Sequence, residues 1–299
     1  MKTLKLTLII ILLNLQLTIF SQNKEIIIQS HKVTDNIYML TGSGGNIGIF
    51  IGEDGVFMID DQYAPLTQKI LTEIKSLTDK PVKFLINTHW HGDHTGGNEN
   101  MNKEGTVIVA HQNVRKRMST EQFSSMWNRK TPPSPKDALP IVTFDKSLTF
   151  HFNGEDILVF HVHDAHTDGD AIIYFSNSNV LHTGDAYFQG KYPFIDLDSG
   201  GTVNGYIDAI KFILHLIDDE TKVIPGHRGI SNKKELQEYL LILEDIKTIV
   251  KKEITAGKTE EEVTNNKLLT KKYDDLNYGD WFIKPDLMRK TFYKSLKKK

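Results

Sequence analysis

The sequence predicts an α+β fold with two sets of short strands, amphipathic helices beside them and a helical C-terminal part. Short runs rich in β-branched and aromatic residues alternate with turn signals from about residue 25 to residue 180. Residues 64–77 and 203–217 instead carry apolar side chains at helical spacing. The chain has 299 residues, of which 39% are hydrophobic and 25% are charged, as is ordinary for a soluble globular protein.

The first half of the chain contains the first predicted strand set. Its strands are the apolar runs 26–28, 37–40, 47–51, 56–59, 82–86 and 107–110. Asp54 and Gly55 form a hairpin turn, and the helix at 64–77 comes before the fifth strand. After the sixth strand, the sequence predicts a polar helical stretch to about Arg129. The proline-rich segment 131–135 predicts a surface loop, because proline suits neither a helix interior nor a central strand.

The second half contains the second strand set and a long helical segment. Its predicted strands are 141–144, 147–152, 156–163, 171–175, 179–183 and 222–224. We expect residues 22–232 to form one domain, and residues 233–299 to form a helical extension packed on the same domain. The helices of this extension could cap the sandwich, or Trp281, Phe282 and Tyr293 could form part of a dimer contact, and both interpretations stay open.

The first 21 residues have the pattern of a signal peptide. Lys2 and Lys5 precede an apolar stretch, and polar residues follow from Ser21. The apolar stretch is short for a membrane span, so an uncleaved anchor is the weaker alternative. We therefore expect an exported protein, periplasmic or secreted, with no membrane span after cleavage. The chain has no cysteine, which excludes disulfides and thiolate ligands, and its net charge of −2 offers no basic field for nucleic acid.

A cluster of potential metal ligands follows the strand at 82–86. His89, His91, Asp93 and His94 lie within six positions, in a stretch that also contains three glycines. Residues two apart in an extended segment point the same way, so His89 and His91 can share one ion. A hydrolytic zinc ion takes three or four protein ligands, so this cluster alone cannot complete two sites. Three further side chains of the required type follow later strands or turns: His166, Asp185 and His227.

In the type and order of these seven residues, the chain resembles the metallo-β-lactamase superfamily of metallo-hydrolases. The resemblance covers about residues 30 to 230 and implies a four-layer αββα sandwich, with two mixed sheets face to face and metals at one edge. It implies one ion held by His89, His91 and His166, and a second held by Asp93, His94 and His227, with Asp185 bridging them. Two zinc ions are expected because imidazole suits zinc, with iron as the alternative.

Two further residues are candidates for hydrogen bonding to the ligands. Asp60 is a candidate by the same resemblance, and it follows the predicted strand at 56–59. His182 is a candidate because it lies close in the sequence to Asp185.

The resemblance implies hydrolysis of a small molecule. Two such ions hold a bridging hydroxide that attacks a carbonyl centre, while the predicted catalytic residues Asp93 and Asp185 orient it. The expected substrate is a cyclic amide or ester, β-lactams included. Phe188 stands where related β-lactamases carry a substrate-binding lysine. Three residues in the stretch after Asp185 are candidates for substrate binding: Lys191, Tyr192 and Asn204.

Three alternatives stay open at this point. An iron enzyme of the same fold that oxidises persulfides with a single ion shares much of the motif. A phosphodiesterase or nuclease of this fold is disfavoured by the negative net charge. A binding module would take up metal without turnover, which a full ligand set makes improbable.

Overall fold

The structure, a computed structural model, describes residues 25–297, so the predicted signal peptide lies outside the described residues. Within that range, no helix has the length and apolar character needed to cross a membrane. The strands are β1 (Gln29–Lys32), β2 (Ile37–Thr41), β3 (Ile47–Gly52), β4 (Gly55–Ile59), β5 (Val82–Asn87), β6 (Val107–His111), β7 (Gln122–Ser124), β8 (Arg129–Thr131), β9 (Val142–Phe144), β10 (Ser147–Phe152), β11 (Glu155–His161), β12 (Ala171–Phe175), β13 (Val180–His182), β14 (Lys222–Ile224) and β15 (Ser231–Asn232). The helices are α1 (Thr67–Leu77), α2 (Gly92–Thr95), α3 (Asn98–Lys103), α4 (Gln112–Met118), α5 (Val203–Leu216), α6 (Lys233–Thr255), α7 (Glu260–Asn265), α8 (Lys271–Asp274) and α9 (Pro285–Lys297).

Two mixed sheets contain most of the strands. The first has seven strands in the order β1-β2-β3-β4-β5-β6-β9, and the second has six in the order β10-β11-β12-β13-β14-β15. Strands β7 and β8 pair with each other as a separate hairpin. β4 and β5 are parallel, and so are β13 and β14. Parallel strands end at the same edge of a sheet, so the loops that follow them meet there.

The core lies in layers on both sides of each sheet. Between the sheets, large apolar side chains such as Phe57 and Phe175 meet edge to face, with ring centroids 6.3 Å apart. On the outer side of the first sheet, α1 buries Ile74. On the outer side of the second sheet, α5 and α6 bury Ile210 and Leu243. This helix–sheet–sheet–helix order confirms the αββα sandwich that the resemblance implies.

The C-terminal helices continue this core. Helix α6 is 23 residues long and is preceded by the cap residue Asn232, whose side chain accepts a hydrogen bond from the Glu235 amide at 3.0 Å. One face of α6 is buried at five positions: Leu236, Tyr239, Leu243, Ile246 and Val250. These side chains belong to the same apolar cluster as the buried face of α5. The described part of the extension therefore packs on the second sheet's helical layer.

The structure differs from the prediction after residue 111. The predicted helix to about Arg129 is wrong: α4 ends at Met118, and the β7–β8 hairpin follows. The hydroxyls of Ser119 and Thr120 donate to the Lys116 carbonyl and so end the helix. The residues after α4 have no apolar side chains at helical spacing. They form the hairpin that covers a cavity, so they need no buried helical face.

We expect the Leu243→Ala substitution to lower the free energy of unfolding by about 2–5 kcal/mol, because it leaves a cavity in the shared cluster. Leu241 provides the matched control, since it lies on the same helix but is 65% exposed, against 1% for Leu243. Leu241→Ala should change the unfolding free energy by less than about 0.5 kcal/mol. Urea unfolding of both variants measures the difference. Equal, small effects would show that the extension does not unfold with the sandwich.

Candidate metal centre

The seven predicted ligands meet where strands of both sheets end. His89 follows β5, and α2 begins three residues later and carries Asp93 and His94. His166 lies in the turn between β11 and β12, while Asp185 and His227 follow β13 and β14. The structure brings these side chains into two groups whose ligand atoms lie within 4.8 Å of one another: His89, His91, His166 and Asp185, and Asp93, His94 and His227.

In the first group, three ring nitrogens converge. His91 Nδ1 lies 3.1 Å from His89 Nε2 and 2.8 Å from His166 Nε2. The other nitrogen of each ring has a partner outside the group. His89 Nδ1 bonds to the Thr88 hydroxyl at 3.1 Å, and His166 Nδ1 bonds to the Phe194 carbonyl at 2.6 Å. His91 Nε2 bonds to the Asp196 carboxylate at 2.9 Å. Because the outer nitrogens donate, the inner nitrogens direct lone pairs at a common point, as metal ligands do.

Burial keeps these rings neutral, which is the form that binds metals. Burial lowers the pKa of His166 to about 4. Burial and the neighbouring His94 and His166 rings lower the pKa of His89 well below its ordinary value. Neither ring therefore carries a proton on its inner nitrogen at neutral pH.

The second group contains buried polar atoms that the protein leaves without partners. Asp93 Oδ2 lies 3.6 Å from His94 Nε2 and 3.3 Å from His227 Nε2. His94 Nε2 and Asp185 Oδ1 are both buried and lie 3.3 Å apart, yet neither forms a well-aligned hydrogen bond with a described residue. An unpaired buried polar atom is costly, so each such atom needs an explanation. A cation between them accounts for both, and the donor set therefore fits a metal ion.

Asp185 lies between the two groups and presents one oxygen to each. Its Oδ2 is 3.8 Å from His89 Nε2 and 3.6 Å from His166 Nε2. Its Oδ1 is 3.3 Å from His94 Nε2 and 3.5 Å from His227 Nε2. This arrangement suits a carboxylate that bridges two ions.

The charges of the second group are coupled. Burial alone would raise the pKa of Asp93 and Asp185, but the His94 and His227 rings lower both values. In return, Asp185 overcomes the effect of burial and raises the pKa of His227 to about 9. The same carboxylates raise the pKa of His94 well above its ordinary value, again against burial. In the metal-free protein, these two rings hold protons that a metal ion displaces.

Asp60 connects the two groups. It follows β4 with φ of 59°, a left-handed conformation that aspartate tolerates. One carboxylate oxygen accepts a hydrogen bond from the Thr88 amide at 2.7 Å. The other accepts from the Thr88 hydroxyl and from His94 Nδ1, both at 2.7 Å. Because His89 bonds to that same hydroxyl, one buried carboxylate orients a ring in each group.

Tight turns bring the remaining ligands close. Among the described residues, His182 forms no hydrogen bond with a predicted ligand; its Nδ1 accepts from the Gly184 amide at 3.1 Å, which fixes the turn before Asp185. A Cβ atom at Gly226 would overlap the Asp185 carboxylate. Gly226 is therefore required for the loop after β14 to approach the loop that carries Asp185 so closely.

A cavity of about 570 Å³ lies over the two groups. At its base are His91, Asp93, Asp185 and His227. Besides the histidine rings, its wall contains eight aromatic side chains: Tyr63, Trp90, Phe123, Trp127, Phe188, Phe194, Trp281 and Phe282. The β7–β8 hairpin meets the C-terminal extension here, with the Trp127 and Phe282 rings 5.5 Å apart. A cavity of this size suits a small molecule.

The three predicted substrate-binding residues do not line this cavity. Lys191 Nζ donates to the Asn277 carbonyl at 2.8 Å, and the Tyr192 hydroxyl donates to Asp274 at 2.6 Å. Both bonds run to residues of the C-terminal extension, so these two side chains hold the extension against the loop that follows Asp185. Asn204 is exposed in the first turn of α5. Their assignment to substrate binding stays a prediction, which no contact among the described residues supports.

Sequence reasoning missed several residues that the structure places at the site. Asp196 holds the His91 ring, but it lies in an aspartate- and glycine-containing turn like many others. Burial would raise the pKa of Asp196, but its bond to His91 lowers it to about 2. Trp281 packs on His227 with ring centroids 5.1 Å apart, so it lines the cavity. The aromatic pair Trp281-Phe282 is recognisable in the sequence, but the sequence could not predict that this pair lies at the metal centre.

The chain is similar to known hydrolases. The profile of the Metallo-beta-lactamase superfamily matches residues 40–227, a range that includes all seven residues of the two groups. Hydroxyacylglutathione hydrolase of Pelagibacter ubique is 28% identical over 163 residues, which are 52% of this chain and 56% of that relative, little more than half its length. A probable metallo-hydrolase of Methanocaldococcus jannaschii is 25% identical over 206 residues, 67% of this chain and 90% of the relative. The solved structure of a metallo-beta-lactamase from Pontibacter korlensis shares the fold, with a TM-score of 0.60 and 21% identity over 73% of this chain and 99% of that one.

We expect Asp60→Asn to weaken zinc binding by about 10- to 100-fold, because its amide N–H₂ would face the His94 N–H that the carboxylate now accepts. Asparagine tolerates the left-handed backbone at this position, so the fold should be kept. Competition with a chromogenic chelator measures the affinity.

The adjacent Asp61 provides the control for this substitution. Burial raises the pKa of Asp61 well above its ordinary value, so asparagine closely resembles its protonated side chain. Asp61 bonds to the Gly97 amide and to no ligand. Asp61→Asn should therefore bind zinc like the wild type, and equal losses in both variants would contradict the role of Asp60.

Proposed function

Because this chain belongs to the metallo-beta-lactamase superfamily and is a metal-dependent hydrolase, we propose that it is an exported two-zinc enzyme that opens a small cyclic amide or ester. The observation that carries the proposal is the position of Asp185. Its two oxygens face different ligand groups at 3.3–3.8 Å, as a bridge between two ions requires. A single ion in the first group would leave Asp93, His94 and His227 with no metal to bind.

The donor set favours zinc. Five imidazoles and two carboxylates form the groups, and the chain has no cysteine. Zinc accepts histidine and carboxylate ligands and keeps a position open for water or substrate in catalytic sites. The mononuclear iron alternative is disfavoured, because a single ion in the first group would leave the three ligand-type side chains of the second group, Asp93, His94 and His227, without a metal.

The chain's own residues prepare the reaction. Bound zinc ions supply a nucleophile derived from water at neutral pH and polarise the carbonyl oxygen of the substrate. Asp93 is ionised and its side chain is 25% exposed, towards the cavity, so it can accept a proton and return it to the leaving group. The aromatic wall limits the access of bulk water to the reacting centre.

The cavity favours a small carbonyl substrate over a nucleic acid. Its wall is aromatic, and Arg129 is the one arginine or lysine that lines it among the described residues. A nuclease needs several cations along a backbone. Phe188 stacks on the His227 ring, with centroids 5.6 Å apart, and so holds a predicted metal ligand in place.

Because the cavity suits a small carbonyl compound, β-lactams and lactones are the first substrates to test. The similarity to hydroxyacylglutathione hydrolase supports an acyl thioester as the second candidate.

The proposal is tested with residues 22–299 loaded with zinc. We expect two zinc ions per chain and chelator-sensitive hydrolysis of at least one of three probes: a cephalosporin, a lactone and a hydroxyacylglutathione. Asp93→Ala should lower kcat by about 10²- to 10⁴-fold, because it removes both the proton-transfer group and a ligand of the second ion. Asp208→Ala is the control, because Asp208 is exposed on α5 and lies outside the cavity. Full activity of Asp93→Ala, or oxygen consumption with a single iron, would overturn the proposal.

Export is tested separately with the full chain in a bacterial host. We expect the periplasmic protein to begin near residue 22, because the pattern of the first 21 residues directs cleavage there. Deletion of residues 2–20 should keep the protein in the cytoplasm. N-terminal sequencing of the fractions measures both results. An uncleaved chain in the membrane fraction would support the anchor instead.

A further inference from the structure

Arg129 lies in the cavity wall without an anionic partner. It forms no ion pair or side-chain hydrogen bond with another described residue, although it lines the cavity. Two neighbouring cations, by contrast, are paired. Arg117 contacts both Asp168 oxygens at 2.6 and 2.7 Å, and Lys130 contacts Glu121 at 2.8 Å. The guanidinium of Arg129 is therefore available to a ligand.

The register of the β7–β8 hairpin explains why Arg129 points into the cavity. Ser124 pairs with Arg129 and Gln122 pairs with Thr131, so these four side chains share one face of the hairpin. All four line the cavity. Phe123 and Lys130 pair with each other on the opposite face; the Phe123 ring lines the cavity as well, whereas Lys130 does not. The hairpin thus presents a single cation with neighbouring hydroxyl and amide groups above the metal centre.

Beside this cation, the cavity exposes unusual aromatic area. Phe123 is 51% exposed, Trp127 is 47% exposed and Phe282 is 46% exposed. Large aromatic side chains open to water around a cavity favour contact with an apolar ligand surface. The hairpin and the extension both contribute to this surface.

We infer that Arg129 binds a carboxylate of the substrate while Phe123, Trp127 and Phe282 hold an apolar substituent of the same molecule. A planar guanidinium matches a carboxylate with two parallel hydrogen bonds. A single cation suits one carboxylate better than a doubly charged phosphate. The inference rests on the proposed function and names its substrate class: anionic amides, esters or thioesters with an apolar group.

The tryptophans allow this inference to be tested without turnover. The chain has three tryptophans, Trp90, Trp127 and Trp281, and all three line the cavity. Intrinsic fluorescence therefore reports on this cavity. The zinc-loaded protein is titrated with phenylacetate and with phenylacetamide, which have nearly the same shape but differ in charge.

We expect the wild type to bind phenylacetate about tenfold more tightly than phenylacetamide, and Arg129→Ala to lose that preference. Arg129→Lys should keep part of it, because lysine retains the charge but not the planar fork. Lys130→Ala is the matched control: it removes the same charge one residue away, on the opposite face. It should bind both probes like the wild type.

Two results would overturn the inference. The first is equal binding of phenylacetate by the wild type and Arg129→Ala, which would assign the carboxylate to the zinc ions. The second is the absence of any preference between the two probes in the wild type. Circular dichroism of Arg129→Ala excludes misfolding as the cause of lost binding.

Kinetics separate this inference from the proposed function. For any carboxylate substrate that is hydrolysed, Arg129→Ala should raise KM about tenfold, and the KM of the matching methyl ester should not change. An unchanged KM for the carboxylate substrate would also overturn the inference. If no substrate is hydrolysed, the proposed function fails, while the fluorescence titration still decides the role of Arg129.

Discussion

The buried carboxylate of Asp60 ties the edge of the first sheet to both halves of the metal centre. It has no contact with water, and each oxygen accepts hydrogen bonds from Thr88 or His94. A buried charge is tolerated only when such partners surround it. Because these partners follow β5, the carboxylate fixes the ends of β4 and β5 relative to each other. The orientation of His94, and of His89 through Thr88, follows from that constraint.

Hydrogen bonds to backbone carbonyls hold the second sheet to this unit. The amide of Ala171, at the start of β12, donates to the Thr88 carbonyl at 2.8 Å. The Asn46 side chain donates to the carbonyls of Pro225 and Arg228 at 2.9 and 2.8 Å, on either side of His227. The loops that carry ligands from both sheets are therefore joined by short bonds that need no metal. Such prior ordering lowers the entropy cost of binding an ion.

Most of the sandwich could be predicted from the sequence, because its strands and helices are local patterns. The runs that became β2 to β6 and β10 to β14 are apolar and bounded by turn residues, and α1 and α5 have clear helical spacing. The run at 26–28 is not a strand: β1 begins at Gln29, and Ile27 is 76% exposed. A short apolar run carries no information about whether a partner strand lies beside it.

The ligands could be predicted for the same reason, and the cavity wall could not. Histidine and aspartate after strand ends form a recognisable order along the chain, and parallel pairing brings those ends together. The wall depends on contacts between distant segments, such as Trp127 of the hairpin and Phe282 of the extension. Lys191 looked like a binding residue because it follows Asp185 closely. Its direction is set by Asn277, 86 residues away.

The restriction of the ligand set to imidazole and carboxylate has a consequence for chemical durability. Metal centres with a cysteine ligand lose metal when the sulfur is oxidised or alkylated. This chain has no sulfur of that kind to modify. Peroxide and thiol-directed electrophiles therefore have no cysteine target at the centre, and no reductant is needed to keep its ligands intact. Inhibitors that work by capturing a ligand thiolate would find nothing to react with.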